Sequence, residues 1–272
     1  MAIQWSLVVF TVLTGTAGWM LVCAAIDAVR GKNQSRSFLV VAIALALLIV
    51  GGLASVTHLS HPDRMLAALS HPTSGIFVEA VLVGIIAVLS VAALVADRRG
   101  AVAAHKVLVM LAAVFGVVIS FMAGESYLMA ATSTWNSQLL PTGYALTAVP
   151  AGVAVYVAIV ADVAEEGTLK LFSLLLIAGG VLGAVCSLAY VASIDAMGLV
   201  SLELYGGCLL CGGAVPVVCG AVMMKEPSKA RVLAVVALAG ALIGAVALRC
   251  IMWEVYSLVA MGAPFITDYA LL

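Results

Sequence analysis

"GIFVEAVLVGIIAVLSVAALVADRRGAVAAHKVLVMLAAVFGVVISFMAGESYLMAA", residues 75–131, reads as two apolar runs parted by one basic cluster. A membrane-crossing helix needs roughly 20 mostly apolar residues, and the runs at about 75–96 and 107–131 each supply them. The same pattern extends outward in both directions, with further runs at about 3–29, 37–57, 143–162, 171–193, 200–224 and 232–257. At 65% hydrophobic and 9% charged residues, the chain departs from soluble domains, whose apolar share is nearer one half. The expectation is an all-α polytopic membrane protein, a single integral membrane domain over residues 1–272 built as a bundle of eight transmembrane helices. Lipid is the expected surrounding partner and nucleic acid is not.

Lys and Arg in short loops stay on the cytoplasmic side. Arg30, Lys32, Arg36, Arg98, Arg99, Lys106, Lys170, Lys225, Lys229 and Arg231 all flank odd-to-even connections, whereas Arg64 alone stands in the opposite set. Both termini are therefore expected to face outward from a multi-pass cytoplasmic membrane protein. "MAIQWS" lacks a basic n-region and a nearby small-residue cleavage site, so helix 1 is expected to remain a span.

Charged side chains inside a span cost about 2.5–3.5 kcal/mol at the bilayer centre and tend to mark functional paths. Glu79, Glu125, Glu203, Arg249 and Glu254 all fall toward the outer end, where His58, His61, Arg64 and His71 also lie. Polar groups are thus expected to converge on one end. A transporter holding its substrate near the midplane and a haem relay needing histidines within the helices both fit poorly. The six cysteines lie within predicted spans, and Cys208-x-x-Cys211 has no second pair, so they read as packing residues rather than metal ligands. Gly179-x-x-x-Gly183 and Gly240-x-x-x-Gly244 read as close helix contacts, and Pro150 and Pro216 as kinks. What remains is a shallow outward pocket for an amphipathic molecule that exchanges protons.

"ASVTHLSHPDRMLAAL", residues 54–69, resembles the H-L-x-x-P-x-R-A signature of the DmsC-type membrane anchors, the menaquinol-oxidising subunits of dimethyl sulfoxide reductase-like molybdoenzymes. His58, Leu59, Pro62 and Arg64 match, with Met65 at the usual small residue. Glu79 occupies the family's acidic position, "STWNSQLLPTGYALT" (133–147) is similar to its Trp-containing outer loop, and "LRCIMW" (248–253) to the ending of its last helix. Two positions depart from the pattern: Glu125 stands where an arginine is common, and Ala245 where a glutamate precedes the last-helix arginine. A charge exchanged between helices 4 and 8 would leave Glu125, and with it Glu254, to pair with Arg249.

The resemblance implies a menaquinol site with His58 and Glu79 as proton acceptors, and with Arg64, Glu125, Trp135 and Arg249 around the quinol. Quinol oxidation releases two electrons and two protons, and neutral His58 is suited to accept one near physiological pH. With no haem or metal expected in the chain, electrons would pass to an iron–sulfur subunit on the outer face and on to a molybdopterin catalytic subunit. The chain is thus read as an electron-transport anchor with no terminal reductase activity alone. Two alternatives stand beside it: a quinone-reactive subunit of the NrfD or polysulfide reductase type, and a small-solute transporter. His61, Asp63 and His71 read as loop solvation, Glu203 and Glu254 as functional or merely interfacial. Tyr205, Trp253 and Tyr256 fit an aromatic belt, and Trp135 either that belt or the quinol rim.

Overall fold

The computed structural model describes residues 3–57 and 73–260. His58, Arg64 and the other signature residues of that connection lie outside the described residues. Among the described residues, eight helices are long and apolar enough to cross a membrane: α1 (Trp5–Arg30), α2 (Gln34–Val56), α3 (Gly75–Arg98), α4 (Val102–Glu125), α5 (Leu139–Val160), α6 (Glu166–Ser193), a seventh span, and α8 (Ala230–Ala260). The seventh span is π-helical over Leu202–Ala214 and α-helical over Val215–Lys225, the latter part being α7. The expected eight-span, all-α architecture is what the chain adopts, with no strand among the described residues.

Contacts divide the spans into two rings of four. Helices α1 to α4 close on themselves, as do α5, α6, the seventh span and α8, and the rings meet where α1 and α4 pack on α5. The most buried spans, α1 and α5, therefore run through the centre, while α2 and α3 are the most exposed to lipid. Lipid provides no hydrophobic drive for helices to associate, so small residues that admit close backbone approach set the contacts. Gly18 of α1 meets the backbone of Gly116 of α4, and a Cβ on either would overlap the other. Gly179 faces Val149 and Pro150 of α5, and Gly240 and Gly244 face Cys211 and Gly212 of the π-helical stretch, so both expected glycine pairs are helix contacts.

Pro150 lies within α5. Pro216 stands where the seventh span changes from π to α register. Proline has no N–H to give the ladder, so the register changes where a bond is missing anyway.

Turns at one end are short, and Gly31 (φ 67°) and Gly100 (φ 68°) take the left-handed conformation that a tight exit from a helix requires. At that basic end Asp162, in the α5–α6 connection, pairs with both Arg36 and Arg231. Lys32 meets Glu165 at 2.8 Å, a bond that holds the Glu165 carboxyl below the ordinary carboxylate range. These exposed pairs clasp the two rings together but each contributes little.

Two expectations need correcting. Helix 4 runs from Val102 to Glu125 rather than over about 107–131, so His105, ahead of the expected run, sits in the first turn of α4 and is buried. Polar groups also gather at both ends: Asp27, near the basic end of α1, is 2% exposed.

Candidate functional site

The end where α2 stops and α3 starts carries the sequence-predicted residues. Ser74 caps α3 by accepting the Phe77 N–H at 3.2 Å, which satisfies an orphan donor of the first turn and starts the helix just ahead of Glu79. Gly75 lets that turn lie against the end of α4, since a Cβ there would be 2.7 Å from the Ser126 hydroxyl. Glu79, half-buried, faces the same hydroxyl.

Arg249 of α8 is 1% exposed. Its Nε donates to Thr11 Oγ1 at 2.6 Å and Nη1 to the Ala245 carbonyl at 2.7 Å, with Thr147 Oγ1 3.5 Å away. The guanidinium lies 4.1 Å from the centroid of the Tyr144 ring. A desolvated cation over an aromatic face gains about 2 kcal/mol, and hydrogen bonds to a charged group about 1.5–3 each. These contacts are neutral. Among the described residues no carboxylate reaches Arg249, so the pairing expected with Glu125 or Glu254 does not form. Glu125 ends α4 with Oε2 buried and without a hydrogen-bond partner, and Glu254 lies beside Glu203. The reason is local: Arg249 bonds its own helix one turn back at Ala245 and directs its remaining donors to α1 and α5.

Tyr144, the ring that faces this cation, belongs to a cluster of four aromatic rings. Tyr127 makes edge-on contacts with Trp135 (5.7 Å between centroids), Tyr144 (6.1 Å) and Trp253 (6.0 Å), and Trp135 does the same with Trp253 (5.2 Å). Edge-to-face pairs at 4.5–7 Å contribute roughly 0.5–1.5 kcal/mol each beyond their buried area. The Trp135 indole N–H donates to the Met252 carbonyl at 3.0 Å, and the Tyr190 hydroxyl to that of Thr134 at 2.9 Å. These bonds pin the α4–α5 connection down onto α6 and α8. Burial holds the Tyr127 phenol far above its ordinary value, with Tyr144 and Glu79 acting in the same direction and Arg249 opposing. Tyr127 is therefore within electrostatic range of both Glu79 and Arg249.

The geometry brings Glu79, Trp135 and Arg249 around one aromatic nest and leaves Glu125 outside the arginine's reach. Trp253, read from sequence as a belt residue, is 4% exposed and belongs to the nest. Tyr256 stacks on Trp135, whereas Tyr205 is exposed as a belt residue would be. Tyr127, Tyr144, Thr11 and Thr147 were not singled out from the sequence; the available signal was a hydroxyl in an apolar span. The Cys208 thiol points at the Gly244 carbonyl, 3.8 Å away, in a helix contact.

At the opposite end Asp27 accepts from the Tyr156 hydroxyl and the Asn33 amide. The His105 Nδ1 lies 2.9 Å from the Ala93 carbonyl and so carries the proton, while Nε2 faces the Ser37 hydroxyl at 2.7 Å. These groups line one cavity at the mouth of the first ring. Sequence reading missed it.

No curated protein matches the sequence. The family model described as DMSO reductase anchor subunit (DmsC) matches residues 1–202, which spans α1 to α6 and includes His58, Arg64, Glu79, Glu125 and Trp135. Arg249 and Trp253 lie beyond the matched stretch, joined to it through Thr11, Tyr144 and Trp135. Covering well over half of a chain with eight membrane-length helices, this match shows that the protein belongs to the DMSO reductase anchor subunit (DmsC) family.

Proposed function

We propose that the chain oxidises menaquinol at the aromatic nest and hands the electrons to an iron–sulfur subunit that feeds a molybdopterin catalytic subunit. The observation that carries this reading is the buried nest of Tyr127, Trp135, Tyr144 and Trp253 with Glu79 at one edge and Arg249 beneath. A quinol headgroup is a flat ring with an ionisable oxygen at each end, and it suits aromatic walls, a carboxylate acceptor and a nearby positive charge. Glu79 takes one proton and His58 the other. Arg249 favours negative charge as it develops on the oxygens, which is the large electrostatic contribution in such sites. Trp135 and Trp253 exclude water. Arg64 orients the quinol, the role that the family resemblance implies. The electrons leave across the same face, which the proposed topology places outward in the cytoplasmic membrane.

The chain purified with its partner subunits is expected to yield menaquinone on solvent extraction, close to one per complex. An extract without quinone, together with thermal stabilisation by a small polar solute, would support a carrier instead. The orientation has its own check. Ser60→Cys should be labelled by an impermeant maleimide on intact cells in a cysteine-free background, and Ser35→Cys should not; the reverse pattern would move the quinol site and the partner to the other side.

A further inference from the structure

Ten basic side chains flank the connections of the basic end. Six are in ion pairs there: Arg30 with Asp27, Lys32 with Glu165, Arg36 and Arg231 sharing Asp162, Lys170 with Glu166 and Lys229 with Glu226. Of the four left without an acidic partner among the described residues, Arg98 ends α3 and Arg99 caps it, Lys106 stands just inside α4, and Lys225 stands apart at the end of α7. Lys106 donates to the Val29 carbonyl at 3.5 Å. The acid nearest in sequence, Asp97, is half-buried and lines the inner cavity together with Lys106. Arg98 and Arg99 therefore keep an uncompensated positive charge.

Arg98 is also held in place, its guanidinium 4.7 Å from the centroid of the Phe38 ring on α2. Below it Val95, Val91 and Val88 are exposed, and their spacing of three and four residues puts all of them on the face that Arg98 tops. A fixed guanidinium and an exposed one above a continuous apolar stripe at the membrane boundary match a molecule with an anionic head and a hydrocarbon chain. Guanidinium is the side chain best shaped for phosphate oxygens, and basic residues at the membrane surface draw anionic lipid.

We propose that the α3–α4 turn binds an anionic phospholipid, its phosphate held by Arg98 and Arg99 and one acyl chain lying along Val95, Val91 and Val88. The site is separate from the aromatic nest, which lies at the other end of the helices. It ties lipid to α3, the most exposed of the spans and the one that carries Glu79.

Thermal unfolding of the full chain in detergent micelles tests this, with phosphatidylglycerol, phosphatidylcholine and inorganic phosphate as the probes. Phosphatidylglycerol should raise the transition temperature at concentrations where the other two do not. Each arginine removed should weaken its apparent affinity roughly fivefold. Arg99→Gln, a fully surface change, and the double variant Arg98→Gln/Arg99→Gln should therefore show a graded loss, while Lys225→Gln keeps the wild-type response. Equal stabilisation by phosphatidylcholine, equal stabilisation by phosphate alone, or an unchanged phosphatidylglycerol response in Arg99→Gln and the double variant would each overturn the proposal.

Discussion

Menaquinol-driven turnover of the assembled complex is expected to fall about 100-fold or more in Glu79→Gln and in His58→Ala, the usual scale for a lost acid–base group. Gln keeps the shape of Glu79 and its contact with Ser126 but cannot take a proton at neutral pH. The capped first turn of α3 and its seat on α4 depend on Ser74 and Gly75, not on the carboxylate, so assembly should survive. Turnover of the same complex from an artificial dye that feeds the soluble subunits should then stay near the wild-type rate. The control is Lys225→Gln, at the opposite end and in no ion pair among the described residues; His105→Ala is unsuitable, because both ring nitrogens of that buried histidine are engaged. Near-normal quinol turnover in both variants, or a parallel collapse of the dye-driven rate, would remove the pair from the mechanism.

Arg249→Met is expected to separate activity from stability. A buried cation with no counter-charge costs several kcal/mol of desolvation, and its contacts with Thr11, Thr147, Ala245 and Tyr144 offset that only in part. Methionine fills much of the same space without the charge. Nor does it strand a polar group: the Thr11 hydroxyl still donates to Val8 O at 3.2 Å and that of Thr147 to Gly143 O at 2.7 Å. The thermal transition should hold or rise, on the order of 1–4 kcal/mol in favour of the variant. Menaquinol turnover should fall by about 10²-fold, the scale for removing a preorganised electrostatic stabiliser. A large loss of thermal stability with activity falling in proportion would make Arg249 a structural group instead.

Eight spans, their order and the basic bias of alternate connections were legible because each is a local property: about 20 apolar residues must cross the hydrocarbon whatever lies beside them. Glu79 was legible for the same reason, since a carboxylate one turn into a span stands out against its neighbours. Asp27 was not. It is followed closely by Arg30 and Lys32, so in sequence it reads as part of the interfacial charge, and only the approach of Tyr156 from α5 shows it buried. Trp253 reads as a belt residue by its position near a helix end, and only the folding of the α4–α5 connection over α8 encloses it.

The sequence by itself determined that this protein lives in a membrane, roughly where each of its helices lies, with helix 4 shifted by about one and a half turns, and which end holds Glu79 and Arg249. Tertiary structure decided which groups meet. Arg249 reads as a partner for Glu125 when charges are paired along the chain, yet it bonds Thr11, 238 residues away in sequence, beneath a ring from a third helix. Hydropathy acts on each segment separately, whereas the partners of a buried cation are set by which helices pack closely, and that depends on contacts such as Gly18 against Gly116, where the lack of a side chain on both helices allows two backbones to touch.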